Sequence, residues 1–303
     1  MFLTLILSGF LTFVELNCEN LFDTRHDSLK QDKEFLPEGV RHWTRTKYWR
    51  KLNNIGQELL ACSDDLPDLI ALCEVENDTV LHDLTRRSVL RNAGYSYLMT
   101  TSPDVRGLDV ALLYQPAMFR PLCYEEIVVP PLKDMRPTRN ILYIKGEAAS
   151  GDTLHLFLVH APSRYGGKLW SEPFRMQVNS LLVREIRQIG EGKVLVAGDF
   201  NDYAEDKTLR RLEQEGLTNV TKNARGHHQA KANYRHEGLW SNLDHVLVSA
   251  SLLPYVDTAY VCDLPFLLED DPKYGGTRPH RTFQGFRYHG GYSDHLPLVV
   301  RLK

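Results

Sequence analysis

The sequence predicts a mixed α/β fold of the α+β kind, with two large β-sheets packed face to face and helices outside them. Three observations predict it. Short runs rich in Val, Ile and Leu, each of strand length, recur along the chain. Helical patterns with a 3.6-residue period sit between some of these runs but not all. From about Val110 to Val159 the runs follow one another directly, which excludes a regular alternation of strand and helix.

The first strand is expected at Phe10–Leu16. Trp49, Leu52, Ile55, Leu59 and Leu60 then keep one face of a helix. Leu69–Cys73 reads as the second strand, and Val80 to Gly94 as a shorter helix stopped by its glycine. Val110–Tyr114, Ile141–Ile144 and Leu154–Val159 are three further strands. Ser171 to Gly190 is a long helix, with Ser171 as its N-cap and Phe174, Val178, Leu181, Leu182 and Ile186 facing inward. Val194–Ala197 is a strand and Lys207 to Gly216 a helix that also stops at glycine. Val246–Val248 and Leu296–Leu302 complete the strands. Several runs alternate only partly, which suits strands covered on both faces. Lys222 to His236 carries Arg225, His227, His228, Lys231, Arg235 and His236 and reads as a surface loop, either a solvated excursion or a substrate-facing rim.

With 303 residues, 43% of them hydrophobic and 25% charged, the chain has the composition of a soluble protein able to bury a large core. No Gly/Ser/Pro linker divides it, so residues 10–303 are expected to form one domain. Residues 1–9 read either as a leader or as the start of the first strand. Met1 to Val14 is apolar except for Thr4, Ser8 and Thr12. That stretch is too short for a membrane span and lacks the basic start and small-residue cleavage site of a signal peptide. No stable membrane insertion is expected, and cytoplasmic and exported locations both fit. The net charge of −3 is not that of a dedicated nucleic-acid binder, although a local basic groove is enough for a nucleic-acid substrate. The five cysteines, at 18, 62, 73, 123 and 262, form no CxxC. Their odd number argues against a disulfide framework, and most read as small buried hydrophobes. The sequence carries no signature of oligomeric state.

Polar groups gather where apolar runs end. Asn17 and Glu19 follow the first strand two residues apart, so they share a side if the strand continues; a capped turn explains them equally. Glu74 follows the Leu69–Cys73 run directly. A carboxylate at the end of a buried strand is costly unless paired or bound to metal, which makes Glu74 the stronger ligand candidate and Glu76 as much a structural hydrogen-bonder as a ligand. Gly198 allows a close turn before Asp199 and Asn201, a charge and a neutral donor; an Asx turn is the simpler alternative. Asp244 precedes another apolar run, and Ser293-Asp294-His295 closes a Gly-rich approach. An Asp–His pair fixes an imidazole tautomer, and imidazolium stabilises charge on a pentacovalent phosphate. Oxygen-type ligands without a Cys/His quartet favour Mg²⁺ or Mn²⁺ over structural Zn²⁺. Together the groups point to metal-assisted attack of water on a phosphate ester.

The ordered blocks Asn17-Cys-Glu19-Asn20-Leu-Phe-Asp, Ala71-Leu-Cys-Glu74-Val-Glu76, Arg106-Gly-Leu-Asp109, Val159-His160-Ala-Pro-Ser-Arg164, Gly198-Asp199-Phe-Asn201-Asp202, Asn242-Leu-Asp244-His245 and Ser293-Asp294-His295 span nearly the whole chain. In them the chain resembles the endonuclease/exonuclease/phosphatase superfamily, whose fold is that of DNase I. It looks most like bacterial members described only at superfamily level. The resemblance implies a four-layer α/β/β/α sandwich with its site at one end of the two sheets. It implies metal binding by Asn17 and Glu74, with Glu19 contributing directly or through water. It implies that Asp199 orients or deprotonates the attacking water and that Asn201 holds a phosphate oxygen. His160 matches the position of a His or Tyr against the scissile phosphate. His295 matches the imidazole that stabilises the transition state, oriented by Asp244, and Asp294 a carboxylate tied to metal or substrate positioning. Arg164 and Arg106 are candidate phosphate contacts, Arg164 foremost because it follows His160 closely; Arg281 and the basic loop are others. Trp240 and Tyr292 either stack on a substrate or pack at the core edge. No long basic insertion and no hydrophobic membrane-docking hairpin is visible. The resemblance implies a phosphodiesterase or nuclease, with a phosphomonoesterase and a non-catalytic binding module as alternatives.

Overall fold

The computed structural model describes residues 11–303; the leader or first-strand reading of residues 1–9 and the strand start at Phe10 lie outside them. In chain order the elements are β1 (Leu11–Leu21), α1 (Arg45–Leu60), β2 (Leu69–Val75), α2 (Asp78–Arg86), β3 (Ser96–Met99) and β4 (Asp109–Tyr114). Then follow β5 (Phe119–Ile127), β6 (Ile141–Ala148), β7 (Thr153–His160), α3 (Lys168–Ile189), β8 (Lys193–Asp199), α4 (Lys207–Gln214) and β9 (Leu217–Asn219). A hairpin of β10 (Tyr234–His236) and β11 (Leu239–Ser241) precedes β12 (Asp244–Ser249) and β13 (Val256–Val261). Short strands β14 (Leu268–Asp270), β15 (Thr277–Pro279), β16 (Phe283–Gln284) and β17 (Arg287–Tyr288) lead to β18 (Leu298–Leu302).

The strands form two six-stranded mixed sheets, ordered β13-β18-β1-β2-β4-β3 and β5-β6-β7-β8-β12-β9. In each, one central pair is parallel: β1 with β2, and β7 with β8. Phe13, Ala71, Cys73, Val110 and Leu112 of the first sheet meet Leu142, Ile144, Leu156, Leu195, Ala197 and Val246 of the second in a dry layer. On the far side of the first sheet, Leu52, Ile55 and Leu59 of α1 and Val80, Leu81 and Leu84 of α2 cover Leu16, Ile70, Leu72 and Ala111. On the far side of the second, Phe174, Val178 and Leu182 of α3 and Leu209 and Leu212 of α4 cover Phe157, Val159, Val194 and Val196. Helices therefore flank two face-to-face sheets, as the sequence predicts, and both faces of each central strand are buried, which is why alternation is weak there.

Two boundaries differ from the sequence reading. The long helix starts at Lys168, behind Gly167 with φ 107°, so Ser171 is not its N-cap: the Ser171 hydroxyl donates to Gly167 O at 2.8 Å from inside the first turn. Lys222 to His236 is not a plain surface loop. Ala224, Ala230, Ala232 and Asn233 are buried, and the backbone N–H groups of His227, His228, Gln229 and Ala230 converge on the Asp263 carboxylate. No helix among the described residues is long and apolar enough to cross a membrane.

Gly198 fixes how β8 enters the site. Its φ is 139°, and a Cβ there would sit 1.8 Å from Val159 O on the parallel neighbour β7. Gly198→Ala is expected to cost about 4 kcal/mol or more, because backbone rather than a yielding side chain is in the way. Its urea unfolding midpoint checks this; an unchanged midpoint would mean β7 and β8 separate freely at this end.

Candidate active site

Strand register brings the site together. The parallel pairing of β7 and β8 sets His160 beside Asp199, and the antiparallel pairing of β8 and β12 sets Asp199 beside Asp244. On β1, Phe13 faces the inter-sheet core, and the two-residue period puts Glu15 and Asn17 on that same face. The period then breaks. Glu19 and Asn20 have φ 50° and 58°, Glu74 has φ 63°, and the β1–β2 and β2–β4 registers shift at these points. Strict alternation would turn Glu74 toward the α1 layer; the left-handed residue swings it to the strand tips instead. Asn201, φ 51°, makes a similar turn after β8. Non-glycine residues held in this region cost of order 1 kcal/mol each and gather at functional sites.

The tips enclose a cavity of about 130 Å³ lined by Asn17, Glu74, Arg106, His160, Asp199, Asn201, Asp294 and His295. Asn17 Nδ2 donates to Asp199 Oδ2 at 3.0 Å, and Asn201 N to Asp199 Oδ1 at 2.7 Å. Glu74 Oε2 accepts from Asn20 N at 2.7 Å, while Oε1 lies 3.9 Å from both Arg106 Nη2 and His160 Nε2. His160 Nε2 is 3.7 Å from Asp199 Oδ2. His295 Nδ1 donates to Asp244 Oδ2 at 2.5 Å, and the Asn233 amide donates to the same oxygen from below. Ser293 Oγ donates to Asn17 O at 2.6 Å and ties the last motif to the first.

Burial and pairing split the two imidazoles. Burial works against a charged His295, but Asp244, Asp294 and Asp199 outweigh it and push its pKa up to about 10. Burial holds His160 well below the ordinary value, and Arg139, Arg106 and His295 add to that, so His160 is neutral. Asp199 is raised to about 7 by burial and by Asp244. Asp244 is held low because His295 and its hydrogen bonds overcome burial. Beneath them Glu15 is fully buried, pushed far above the carboxylate range by burial and by Asp244 and Asp199. It is therefore a neutral acid beneath the Asp199–Asp244 pair. Asp199, Asp244 and His295 offer ligand atoms that all lie within 4.8 Å of one another, so the cluster has the donors to hold a divalent cation.

Three of the site residues singled out in the sequence lie outside the cavity lining, and one of them, Asp244, sits behind His295 as its hydrogen-bond partner. The Glu19 carboxylate accepts from Thr282 N at 2.6 Å and Phe283 N at 3.1 Å, because its positive φ turns it away from Asn17. Arg164 donates to Asn201 O at 2.7 Å and to Asp206 at 3.0 Å and lies over the Tyr203 ring, so it braces the Asn201 turn. Arg281 is paired with Asp294 at 2.7 Å, and Trp240 and Tyr292 pack against the outer core of the first sheet. Glu76 accepts from Asp23 N at 2.6 Å, the structural one of its two readings. Arg139, Ser163, Tyr234 and Leu243 also line the cavity and were not singled out in the sequence. Arg139 reaches the carbonyls of His160 and Ala161 from behind, and Tyr234 sets its ring 4.7 Å from that of His295. Arg139 and Tyr234 stand outside every motif block, so no pattern marked them, whereas Ser163 and Leu243 lie inside two of the blocks.

A family model described as "Endonuclease/Exonuclease/phosphatase family" matches residues 12–303. The chain belongs to the endonuclease/exonuclease/phosphatase family. Members of this superfamily act on phosphate esters, and the cluster just described fits such an enzyme. Among solved structures, a family protein from Bacteroides thetaiotaomicron is 16% identical with a TM-score of 0.64, covering 97% of each chain. A mannosyl-6-phosphatase from the same organism is 16% identical with a TM-score of 0.64, covering 96% of this chain and 98% of that one. TDP2 from D. rerio, complexed with a single-strand DNA product, is 18% identical with a TM-score of 0.59, covering 97% and 99%. These likenesses show a shared sandwich. A search of curated proteins found no match.

Proposed function

We propose that this endonuclease/exonuclease/phosphatase family protein hydrolyses phosphodiester bonds by in-line attack of water, with Mg²⁺ or Mn²⁺ as cofactor. The observation that carries the proposal is the meeting, around one small cavity, of a buried carboxylate with a pKa near 7, a neutral imidazole and a charged one. Asp199 takes the proton from the attacking water, held in place by Asn17 and the Asn201 backbone. Neutral His160 and the free N–H of the Asn201 amide hold phosphoryl oxygens. His295, charged and fixed by Asp244, faces the negative charge that develops in the transition state.

The donor set fits a hard cation: Glu74 Oε1 faces the polar lining, with Asn17 and Asp294 on the same wall. Bound there, it supplies charge neutralisation to the phosphoryl oxygens. The Asp199–Asp244–His295 cluster is the less suitable holder, because Asp244 Oδ2 is already taken by the imidazolium. A monoanionic diester also suits the lining better than a dianionic monoester. Arg139 is committed to two carbonyls and Asp104, Arg106 to Asn20, and Arg281 to Asp294, so few cations are free.

Two measurements test this. Bis-p-nitrophenyl phosphate is expected to be cleaved with Mg²⁺ or Mn²⁺, faster than p-nitrophenyl phosphate, with activity lost to chelator and in Asp199→Ala. The reverse preference would make the protein a phosphomonoesterase, and turnover of neither ester would favour a binding module. By calorimetry, Glu74→Ala is expected to weaken Mn²⁺ binding about 10-fold or more. His295→Ala should leave Mn²⁺ affinity within about 2-fold and lower kcat. The opposite pattern would move the cation into the His295 cluster.

A further inference from the structure

Two cysteines have no part in this chemistry. Cys62 lies just past the end of α1, and Cys262 just past the end of β13, far apart in sequence. Both line a cleft of about 750 Å³ together with Asp64, His228 and Tyr260, and none of its lining residues lines the catalytic cavity. The two residues are neighbours in the lining of this cleft, Cys262 Sγ reaching the carbonyl of Ala61, the residue before Cys62. Each is placed by backbone: Cys62 Sγ donates to Glu58 O at 3.2 Å, and Cys262 Sγ lies 3.9 Å from Ala61 O. The frame around them is fixed, since Tyr260 Oη donates to Cys62 O at 2.8 Å and Cys262 N to Pro297 O at 2.8 Å. Cys18 and Cys73 are buried and line neither of these two cavities, and Cys123 is exposed.

The thiols are not equivalent. The neighbouring Cys62 and the Leu264 N–H hold Cys262 below an ordinary thiol despite burial, whereas burial pushes Cys62 far up. Proximity, unequal acidity and a shared opening are the features of a thiol pair that exchanges with a small disulfide.

We propose that Cys62 and Cys262 are a reversible dithiol–disulfide pair at the floor of this cleft, oxidised by a low-molecular-weight disulfide. The Cys262 thiolate, its proton released to solvent, attacks one sulfur of the oxidant. The oxidant's S–S bond breaks, and one small thiolate leaves, taking a proton from solvent. Cys62 then attacks the Cys262 sulfur of the mixed disulfide, and the second small thiol leaves with the Cys62 proton. Two protein thiols are oxidised and one small disulfide is reduced to two thiols. The bond closes a very long loop and joins the end of α1 to the edge of the first sheet.

The test uses the full chain carrying Cys123→Ser, treated with oxidised glutathione beside a control dithiol peptide and then mapped after alkylation. The expected result is a Cys62–Cys262 linked peptide, an intact mass lower by two hydrogens, and a Tm raised by roughly 5–10 °C that dithiothreitol reverses. Cys62→Ser should stop at a glutathione adduct on Cys262, and Cys262→Ser should give no adduct on Cys62. The proposal is overturned if both cysteines stay alkylatable while the control peptide oxidises, or if an adduct on Cys262 persists with Cys62 intact. The wild-type map decides the matter even where a serine variant fails to fold.

Discussion

Asp244→Asn is expected to lower kcat about 1000-fold or more and to move the basic limb of the kcat–pH profile down from about 10 toward 6.5. Asp244 is fully buried, and its Oδ2 accepts from both His295 Nδ1 and the Asn233 amide. Its attraction is the largest influence raising the His295 pKa. Asparagine keeps the shape but removes the charge, and its own N–H group competes with the imidazole for a donor role. The sign follows from that. The active form carries the proton on His295, so lowering the pKa of His295 removes the active form at a lower pH. Asp199, with its pKa near 7, sets the acid limb, and that limb should also move down, because the Asp244 charge is one of the two influences that raise Asp199. Rates on bis-p-nitrophenyl phosphate from pH 5 to 10.5 check both limbs. A basic limb unmoved in Asp244→Asn would show that the carboxylate does not hold the imidazolium.

A large stability effect is also expected at Lys51, a cation with 1% exposure on the inner face of α1. Its ammonium donates to Thr282 Oγ1 at 2.6 Å and to Tyr292 O, three residues before His295. One turn further along, Asn54 donates to Gly290 O and Gly291 O. Thus α1 is the strut that carries the segment ending in the His295 imidazole. Burial pushes Glu58 far above the carboxylate range and Glu19 to about 7, and Lys51 opposes both shifts. Lys51→Ala removes the cation that opposes the Glu58 shift, leaves Glu19 with Arg281 alone, and leaves the Tyr292 carbonyl with only Thr282 Oγ1 as donor. The expected cost is about 3–5 kcal/mol, seen as a lower urea midpoint. Lys51→Met keeps the packing of the stem and should recover only the packing part of the loss. Equal losses in the two variants would show that the charge contributes nothing.

Much of this architecture is legible because central strands, buried on both faces, must be continuous apolar runs. Leu69–Cys73, Leu154–Val159 and Val194–Ala197 stand out for that reason, and the polar groups that follow them stand out in turn. Edge strands escape the same reading. In β5 the residues from Arg120 to Glu126 are half-buried or exposed, and β13 is likewise open on its outer side, so neither needs an apolar run. The helix start at Gly167 escapes because Ser171 carries a capping residue's chemistry but spends its hydroxyl on the preceding turn.

The sequence alone determined the sandwich and the order of its motifs, since strand burial and chemistry at strand ends are both written in local composition. Only the tertiary structure decided which of those side chains meet. Left-handed φ at Glu19, Asn20, Glu74 and Asn201 overrides the two-residue period that a sequence argument has to assume. It turns Glu74 into the cavity and Glu19 onto the backbone of Thr282 and Phe283. Arg139, Asn233 and Tyr234 reach the site from segments with no periodicity, because their positions depend on how distant loops close over the strand tips.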